Sequence, residues 1–336
     1  MFNKNKFKRK YYLITIILLS ITIITIRFNQ IEKFFTSLFF SEKPLEYRTI
    51  PEDIMTILEN YPEIKRLTAQ ADIELPIPKN MVPQGITLLD DEYIIVSAYN
   101  TDHSKKSKSY VLSSYGQLFN TVTLDNRSHV GGIAYDKKND LLWLPDNDGS
   151  LNAYEASQFI DQKDIKPKYT FDKIGLELKK HVYKNQDFID YLSVDGKYLY
   201  IGGFSLYGSG LVKKYEIIKK GSNLELEYKN SFKIPSKIQG ITFYHKNDKV
   251  YMILSQSFGR QNVSHIIIFE YDETETDYNE ARSMLTLESP PLLEQVTSVN
   301  SGLYMIFESG ANKYSDCKEK IENVLILDLE QAIKEP

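Results

Sequence analysis

The chain has 336 residues, 42% hydrophobic and 26% charged, with 16 Gly, 12 Pro, 24 Tyr and one Cys. This composition excludes a disulfide-stapled miniprotein, a collagen and a disordered chain, and the length suits one large domain or two small ones. The net charge is −4, but the first 27 residues hold six cations and no acid, so the rest sums to −10. That is the wrong sign for binding phosphates, and no nucleic acid partner is expected.

Residues 1–10 read as a basic cytoplasmic tail. Tyr11 to Ile26 is uncharged and almost wholly apolar, and continuing through Arg27 to Phe28 makes an 18-residue run. As a helix it is about 27 Å long, enough to cross a hydrocarbon core with Arg27 snorkelling. Five cations precede the run and one ends it, so the N-terminus is expected in the cytoplasm and the remainder outside. Arg27-Phe28-Asn29-Gln30 offers no small-residue cleavage pattern, which favours an uncleaved signal anchor over a cleaved signal peptide. With Cys317 alone, no intramolecular disulfide is available, and a bacterial cell-surface setting is expected. Residues 29–70 read as a stalk with a short helix, where Ile54, Met55, Ile57 and Leu58 follow Pro51 at helical spacing and Pro62 lies beyond the end.

From residue 71 a pattern recurs. Gln84-Gly85-Ile86-Thr87 precedes Tyr93 to Ser97; Gly131-Gly132-Ile133-Ala134 precedes Leu141 to Leu144; Asp190-Tyr191-Leu192-Ser193 precedes Tyr198 to Gly202. Gln239-Gly240-Ile241-Thr242 precedes Val250 to Leu254, and Glu294-Gln295-Val296-Thr297 precedes Leu303 to Phe307. Taking Gly85, Gly132, Tyr191, Gly240 and Gln295 as equivalent, the intervals are 47, 59, 49 and 55 residues. Third and fourth apolar runs complete four of the units, and turn pairs such as Asp195-Gly196 join them as hairpins. Four antiparallel strands per unit, five times over, predict an all-β, five-bladed β-propeller over residues 71–336. The fifth unit ends after three strands, so Asp72–Ile77 is expected to supply its outer strand and close the ring without open edges.

In such a ring, the loops leading into the innermost strands share one face with the loops joining second and third strands. The first set brings Gln84, His129, Asp190, Gln239 and Glu294; the second brings Tyr99, Asp146, Ser205, Ser257, Arg260 and Glu308. The same face receives the longest excursions, Tyr99–Ser109 and Leu176–Asp187, and rim loops on a rigid scaffold are where binding concentrates. Gln84, Tyr99, His129, Asp190, Gln239, Arg260, Glu294 and Glu308 are therefore the expected ligand-binding residues. Asp190, Glu294, Gln84 and Gln239 are an oxygen-rich set suited to calcium, and Glu294, Asp190 and His129 are the candidates for acid–base catalysis. The plain alternative is a water-filled channel whose polar side chains satisfy water and nearby backbone. Arg260 and Glu308 read as a rim ion pair. Asp146-Asn147-Asp148-Gly149 lacks the downstream Glu of a calcium loop and reads as a turn. There is no nucleophile elbow, phosphate-binding loop, zinc-protease helix or paired-Cys motif.

Several phrases resemble those of secreted or membrane-anchored bacterial β-propeller proteins of mostly unassigned function. They are Pro83-Gln84-Gly85, His129 to Ala134, Val194-Asp195-Gly196 with Tyr200-Ile201-Gly202, Gln239-Gly240 with Ser255 to Arg260, and Pro290-Pro291 with Phe307 to Ala311. A more distant similarity, through Gln84-Gly85 and Gly132 to Tyr135, is to plant-type glutaminyl cyclases, five-bladed propellers whose catalytic acid maps onto no single residue here. The reading is a membrane-anchored propeller outside the cell that binds a small molecule, glycan or envelope protein through the channel mouth. The alternative is a metal-assisted hydrolase, lactonase or glutaminyl cyclase-like enzyme using the mouth carboxylates.

Overall fold

A computed structural model describes residues 50–174, 176–177 and 187–334. The expected basic tail, the anchor at 11–28, the first half of the 29–70 segment and part of the 176–187 excursion lie outside the described residues. Among the described residues no helix is long and apolar enough to cross a membrane.

Runs such as Tyr93-Ile94-Ile95-Val96 are buried on both faces, as strands sandwiched between neighbouring blades must be. Blade 1 comprises Met81–Leu89, Tyr93–Asn100, Lys108–Ser113 and Leu118–Thr123. Blade 2 comprises Ala134–Asp136, Leu141–Pro145, Leu151–Glu155 and Tyr169–Phe171. Blade 3 comprises Tyr191–Asp195, Tyr198–Gly203, Gly210–Lys220 and Asn223–Ile234. Blade 4 comprises Ile238–Lys246, Lys249–Gln256, Ser264–Glu270 and Leu285–Ser289. Blade 5 takes Leu293–Val299, Gly302–Phe307 and Asn323–Asp328 from the end of the chain and Thr68–Glu74 as its outer strand. The chain is thus a five-bladed propeller of four-stranded antiparallel blades.

The ring closes through the antiparallel pairing of Thr68 with Leu327 and Glu74 with Asn323. The closing strand begins and ends earlier than the expected Asp72–Ile77, because Pro76 cannot donate to a ladder and Thr68 follows directly on a helix. That helix, Pro62–Leu67, starts at Pro62 instead of being excluded by it, since a proline at the first helical position loses no hydrogen bond. Together with Glu52–Leu58 it buries Ile54, Leu58, Ile64 and Leu67 in one core with Ile253 and Leu287 of blade 4 and Val296, Met305 and Leu325 of blade 5. Tyr61 Oη also donates to Glu319 at 2.6 Å.

At the axis the innermost strands abut. A β-carbon on Gly85 would lie 2.7 Å from the Ile133 amide nitrogen and 2.5 Å from Ser97 Oγ; one on Gly240 would lie 2.8 Å from Gln295 Cα and 2.6 Å from Ser255 Oγ. The recurring glycines are therefore the price of bringing five blades this close. Gln295 departs from the pattern, and its side chain fills the centre. Its Oε1 accepts from the amides of Ile86 (3.0 Å) and Ile133 (2.9 Å), while its Nε2 donates to the carbonyls of Ile133 (2.9 Å) and Leu192 (3.1 Å). One buried amide from blade 5 thereby joins blades 1, 2 and 3, and at this level it closes the channel expected to hold water.

Replacing Gln295 by Ala strands two amides and two carbonyls in a buried setting, at roughly 1–3 kcal/mol for each group left without a partner. The variant is expected to lose on the order of 3 kcal/mol or more in urea unfolding, with an unchanged denaturant slope. A loss below about 1 kcal/mol would show that the amide does not hold the blades together.

Candidate functional site

The site is built on β-bulges. Pairing between first and second strands slips between Pro83 and Gly85 in blade 1, between Ile238 and Gly240 in blade 4, and between Leu293 and Val296 in blade 5. A bulge sets two residues opposite one and re-aims a side chain. Gln84, Gln239 and Glu294 occupy these slips, just before the axial positions.

Glu294 meets Glu308, the first residue beyond the second strand of blade 5, in a side-chain hydrogen bond. They are only 3% and 6% exposed. Gln84 Nε2 donates to Glu308 Oε2 and to the Pro83 carbonyl, each at 2.9 Å. Tyr314 also hydrogen-bonds Glu308, and Tyr314 and Tyr99 are joined through their side chains. Lys313 Nζ donates to the Tyr99 hydroxyl and lies 5.1 Å and 5.2 Å from the ring centres of Tyr99 and Tyr314. Tyr99 is flanked by His103, stacked at 4.8 Å, and by His129, tilted at 4.5 Å. A polar chain thus runs from the exposed histidines and Lys313, through two tyrosines, to a buried carboxyl pair.

Two carboxylates in contact inside protein cannot both be charged, so the pair keeps a proton. Burial raises Glu294 well above the ordinary carboxylate range, and the neighbouring charge of Glu308 adds to this. Burial raises Glu308 as well, but Tyr314, Lys313 and Gln84 oppose it, making Glu308 the charged acceptor and Glu294 the donor. Asp190, only partly buried, is raised by burial to about 6, against the Phe204 amide that donates to its Oδ2 at 2.7 Å. His129 opens to solvent at the mouth, yet the protein around it pushes its imidazole down, followed by the charges of Lys313 and His103.

Of the expected residues, Gln84, Tyr99, His129, Glu294 and Glu308 come together, and Glu294 feels the charge of Asp190. Gln239 sits on its bulge, partly exposed, with no hydrogen bond to this group among the described residues. Arg260 does not pair with Glu308. It binds Asp316 Oδ1 at 2.6 Å and lies 5.2 Å from the Tyr314 ring centre, because Glu308 is buried and supplied with donors while Arg260 stays exposed. Asp146 organises a turn, accepting from the Asn147 amide at 2.7 Å and Asn152 Nδ2 at 2.8 Å. Ser257 accepts from Ser264 Oγ at 2.9 Å, and Ser205 Oγ donates to the Tyr207 carbonyl at 2.8 Å. Sequence reasoning missed Lys313, Tyr314 and Gln295. The available signals were the long 308–322 gap between strands of the last unit and the Gln standing where three blades have Gly.

Among the described residues no group of three or more His, Cys, Asp or Glu side chains is placed to hold a metal ion. A small crevice lies at the seam between blades 5 and 1, lined by residues including Leu75, Met81, Pro83, Phe307 and Ile321, and not at the carboxyl pair itself.

No protein-family model matches the chain, and no curated protein matches it. Among solved structures, U3-55K is similar at 12% identity, with 77% of this chain and 98% of that chain covered and a TM-score of 0.44. The WD40 repeats of RRP9 give 9%, 77%, 99% and 0.43 for the same measures, and a chain of the nidogen/laminin complex gives 14%, 68%, 73% and 0.38. The fold assignment rests on the strand pairings of the chain itself.

The raised Glu294 carboxyl ties stability to pH. The folded state keeps a proton that the unfolded chain releases above about pH 4.3, so stability falls as pH rises from there toward the folded value, by about 1.4 kcal/mol per unit. The melting temperature is expected to decline from pH 5 toward pH 8, and Glu294→Gln is expected to flatten that decline and to melt above the parent at pH 8. Parallel curves for the two proteins would show that Glu294 is not the proton-holding group.

Proposed function

We propose that the chain is a binding module that recognises a small molecule, glycan or envelope protein through the face carrying Gln84, Tyr99, His129, Glu294 and Glu308. The observation that carries this reading is the exposure of Tyr207 (76%) and Phe258 (44%) on neighbouring loops of that face. Large apolar side chains left in water on long loops mark recognition surfaces. Gln295 occupies the axis among blades 1, 2 and 3, so at that level the ring does not open into a pore. The apolar run at 11–28 and the cations before it support the remainder of the proposal, a single-pass anchor in the cell membrane with the propeller outside.

A hydrolase, lactonase or cyclase is the less favoured reading. It needs substrate beside a catalytic carboxylate, whereas Glu294 and Glu308 are almost wholly enclosed and already bonded to each other. Calcium at Asp190, Glu294, Gln84 and Gln239 competes with the proton shared by the pair and with Gln84 Nε2, whose donor is turned toward Glu308. Melting curves in calcium, magnesium and chelator are expected to coincide, and a calcium-selective rise lost in Asp190→Ala would restore the cation site.

The binding reading is tested by hydroxyl-radical footprinting of the full-length chain in native envelope membranes against the purified protein. Protection is expected at Tyr207 and Phe258. Equal oxidation there, with protection confined to the outer strand of blade 1 at Leu118 and Phe119, would place recognition elsewhere.

A further inference from the structure

The loop from Phe204 to Ser209 in blade 3 and that from Ser257 to Val263 in blade 4 are knitted into one surface. The Lys237 amide donates to the Ser205 carbonyl at 2.7 Å, and the Ser257 amide donates to the Lys237 carbonyl at 2.9 Å. The rings of Phe204 and Phe258 lie 6.2 Å apart and 33° from parallel, and Lys237 Nζ is 5.8 Å from the Phe258 ring centre. Asp190 is tied to the same surface by the Phe204 amide, which donates to its Oδ2 at 2.7 Å. Gln239 follows Lys237 by two residues, in the bulge that comes after Ile238 pairs with Gln256, and Gln256 is two residues before Phe258.

Two kinds of group on this surface remain unused by the fold. Phe258 leaves 44% of its area in water. Asp190 and Gln239 are partly exposed, and neither Asp190 Oδ1 nor the side-chain amide of Gln239 has a hydrogen-bond partner among the described residues. The serines, by contrast, are engaged, Ser205 Oγ with the Tyr207 carbonyl and Ser257 Oγ with Ser264 Oγ. Charge selects neither an acidic nor a basic partner: Lys237 and Arg260 stand against Asp190, Asp316 and Glu280. Arg260 is already paired with Asp316 at 2.6 Å, and Glu280 accepts from Gln256 Nε2 at 2.8 Å. The complement of this surface is an uncharged ligand with an apolar face for the ring and closely spaced groups that both donate and accept for the carboxylate and the amide. A pyranose has both, in its C–H face and its neighbouring hydroxyls, and a peptide with uncharged side chains carries fewer such groups along its length.

We propose that this surface is a carbohydrate site for an uncharged oligosaccharide, with one pyranose ring stacked on Phe258 and hydroxyls bonded to Asp190 and Gln239. The proposal rests on the reading of this face as the recognition surface, and selects the glycan among the ligands considered there.

The test is isothermal titration calorimetry of the full-length chain, in a zwitterionic detergent that contains no sugar, with cellohexaose and chitohexaose. Dextran sulfate and an uncharged peptide of Ser and Leu are the competing probes. At least one of the two oligosaccharides is expected to bind, with the same affinity at low and high salt because no ion pair is formed. Phe258→Ala and Gln239→Ala are each expected to weaken that binding about tenfold or more, while Phe258→Tyr keeps it. Phe119→Ala, on the outer strand of blade 1, is expected to bind like the parent. Each variant is expected to keep the parent melting temperature within a few degrees, since Phe258 and Phe119 are exposed and the Gln239 amide bonds to nothing in the fold. No binding of either oligosaccharide, parent-like binding by both Ala variants, or binding of dextran sulfate or the peptide in their place would overturn the proposal. Membrane footprints that protect Tyr207 and Phe258 while both oligosaccharides fail to bind would remove the ligand class and leave the recognition face. Failure of both would remove both.

Discussion

The whole arrangement depends on how closely five innermost strands approach one axis. At that distance a β-carbon on Gly85 or Gly240 would collide with the neighbouring backbone, so backbone packs on backbone and one side chain, that of Gln295, has room at the centre. Its amide presents an acceptor and a donor together, and uses both to link blades that are distant in sequence. Buried backbone groups must be paired, and here the partner comes from across the ring instead of from a strand ladder. The bulges that allow this approach also turn Gln84 and Glu294 aside. The same local irregularity thus creates both the closed floor and the polar residues beside it.

The second consequence is electrostatic. Glu294 and Glu308 are held in contact under a ring of loops, with water largely excluded, and a single proton between them replaces the ion pair that burial would otherwise demand. Glu308 is given donors from blade 1 and from its own loop, and Lys313 places a cation near the remaining charge. This chain of contacts fixes the 308–322 loop against blade 1 at the seam where the ring closes. A structural task therefore explains the pair, and the recognition surface we propose is made by the exposed loops and not by these carboxyls.

The fold was legible because the constraint at the axis repeats. Gly85, Gly132 and Gly240 lie one and then two repeats of about 50 residues apart, and each precedes an apolar run that becomes a second strand. The closing strand was legible in kind, though its limits depended on Pro76 and on a second helix that Pro62 begins. The carboxyl pair could be approached from the sequence, since Glu294 and Glu308 belong to the two sets of loop positions that share one face, but their contact depends on burial. For the same reason Arg260 was assigned to Glu308: Asp316 is an equally good partner on paper, and only the enclosure of Glu308 decides between them. Lys313 and Tyr314 belong to a loop with no counterpart in the other blades, so recurrence could not mark them. Gln295 stood in plain view as an exception among glycines, and its role needs three other blades to be in place before it exists.

The account is tested most directly by hydrogen exchange at the axis, followed by NMR on the folded protein through the side-chain amide of Gln295 and the backbone amides of Ile86 and Ile133. If Gln295 closes the ring, these protons exchange only through global unfolding, with protection matching the free energy measured by denaturant. Rapid exchange at the Gln295 amide while neighbouring strand amides stay protected would mean an open, hydrated axis, and the closure of the ring by Gln295 would have to be abandoned.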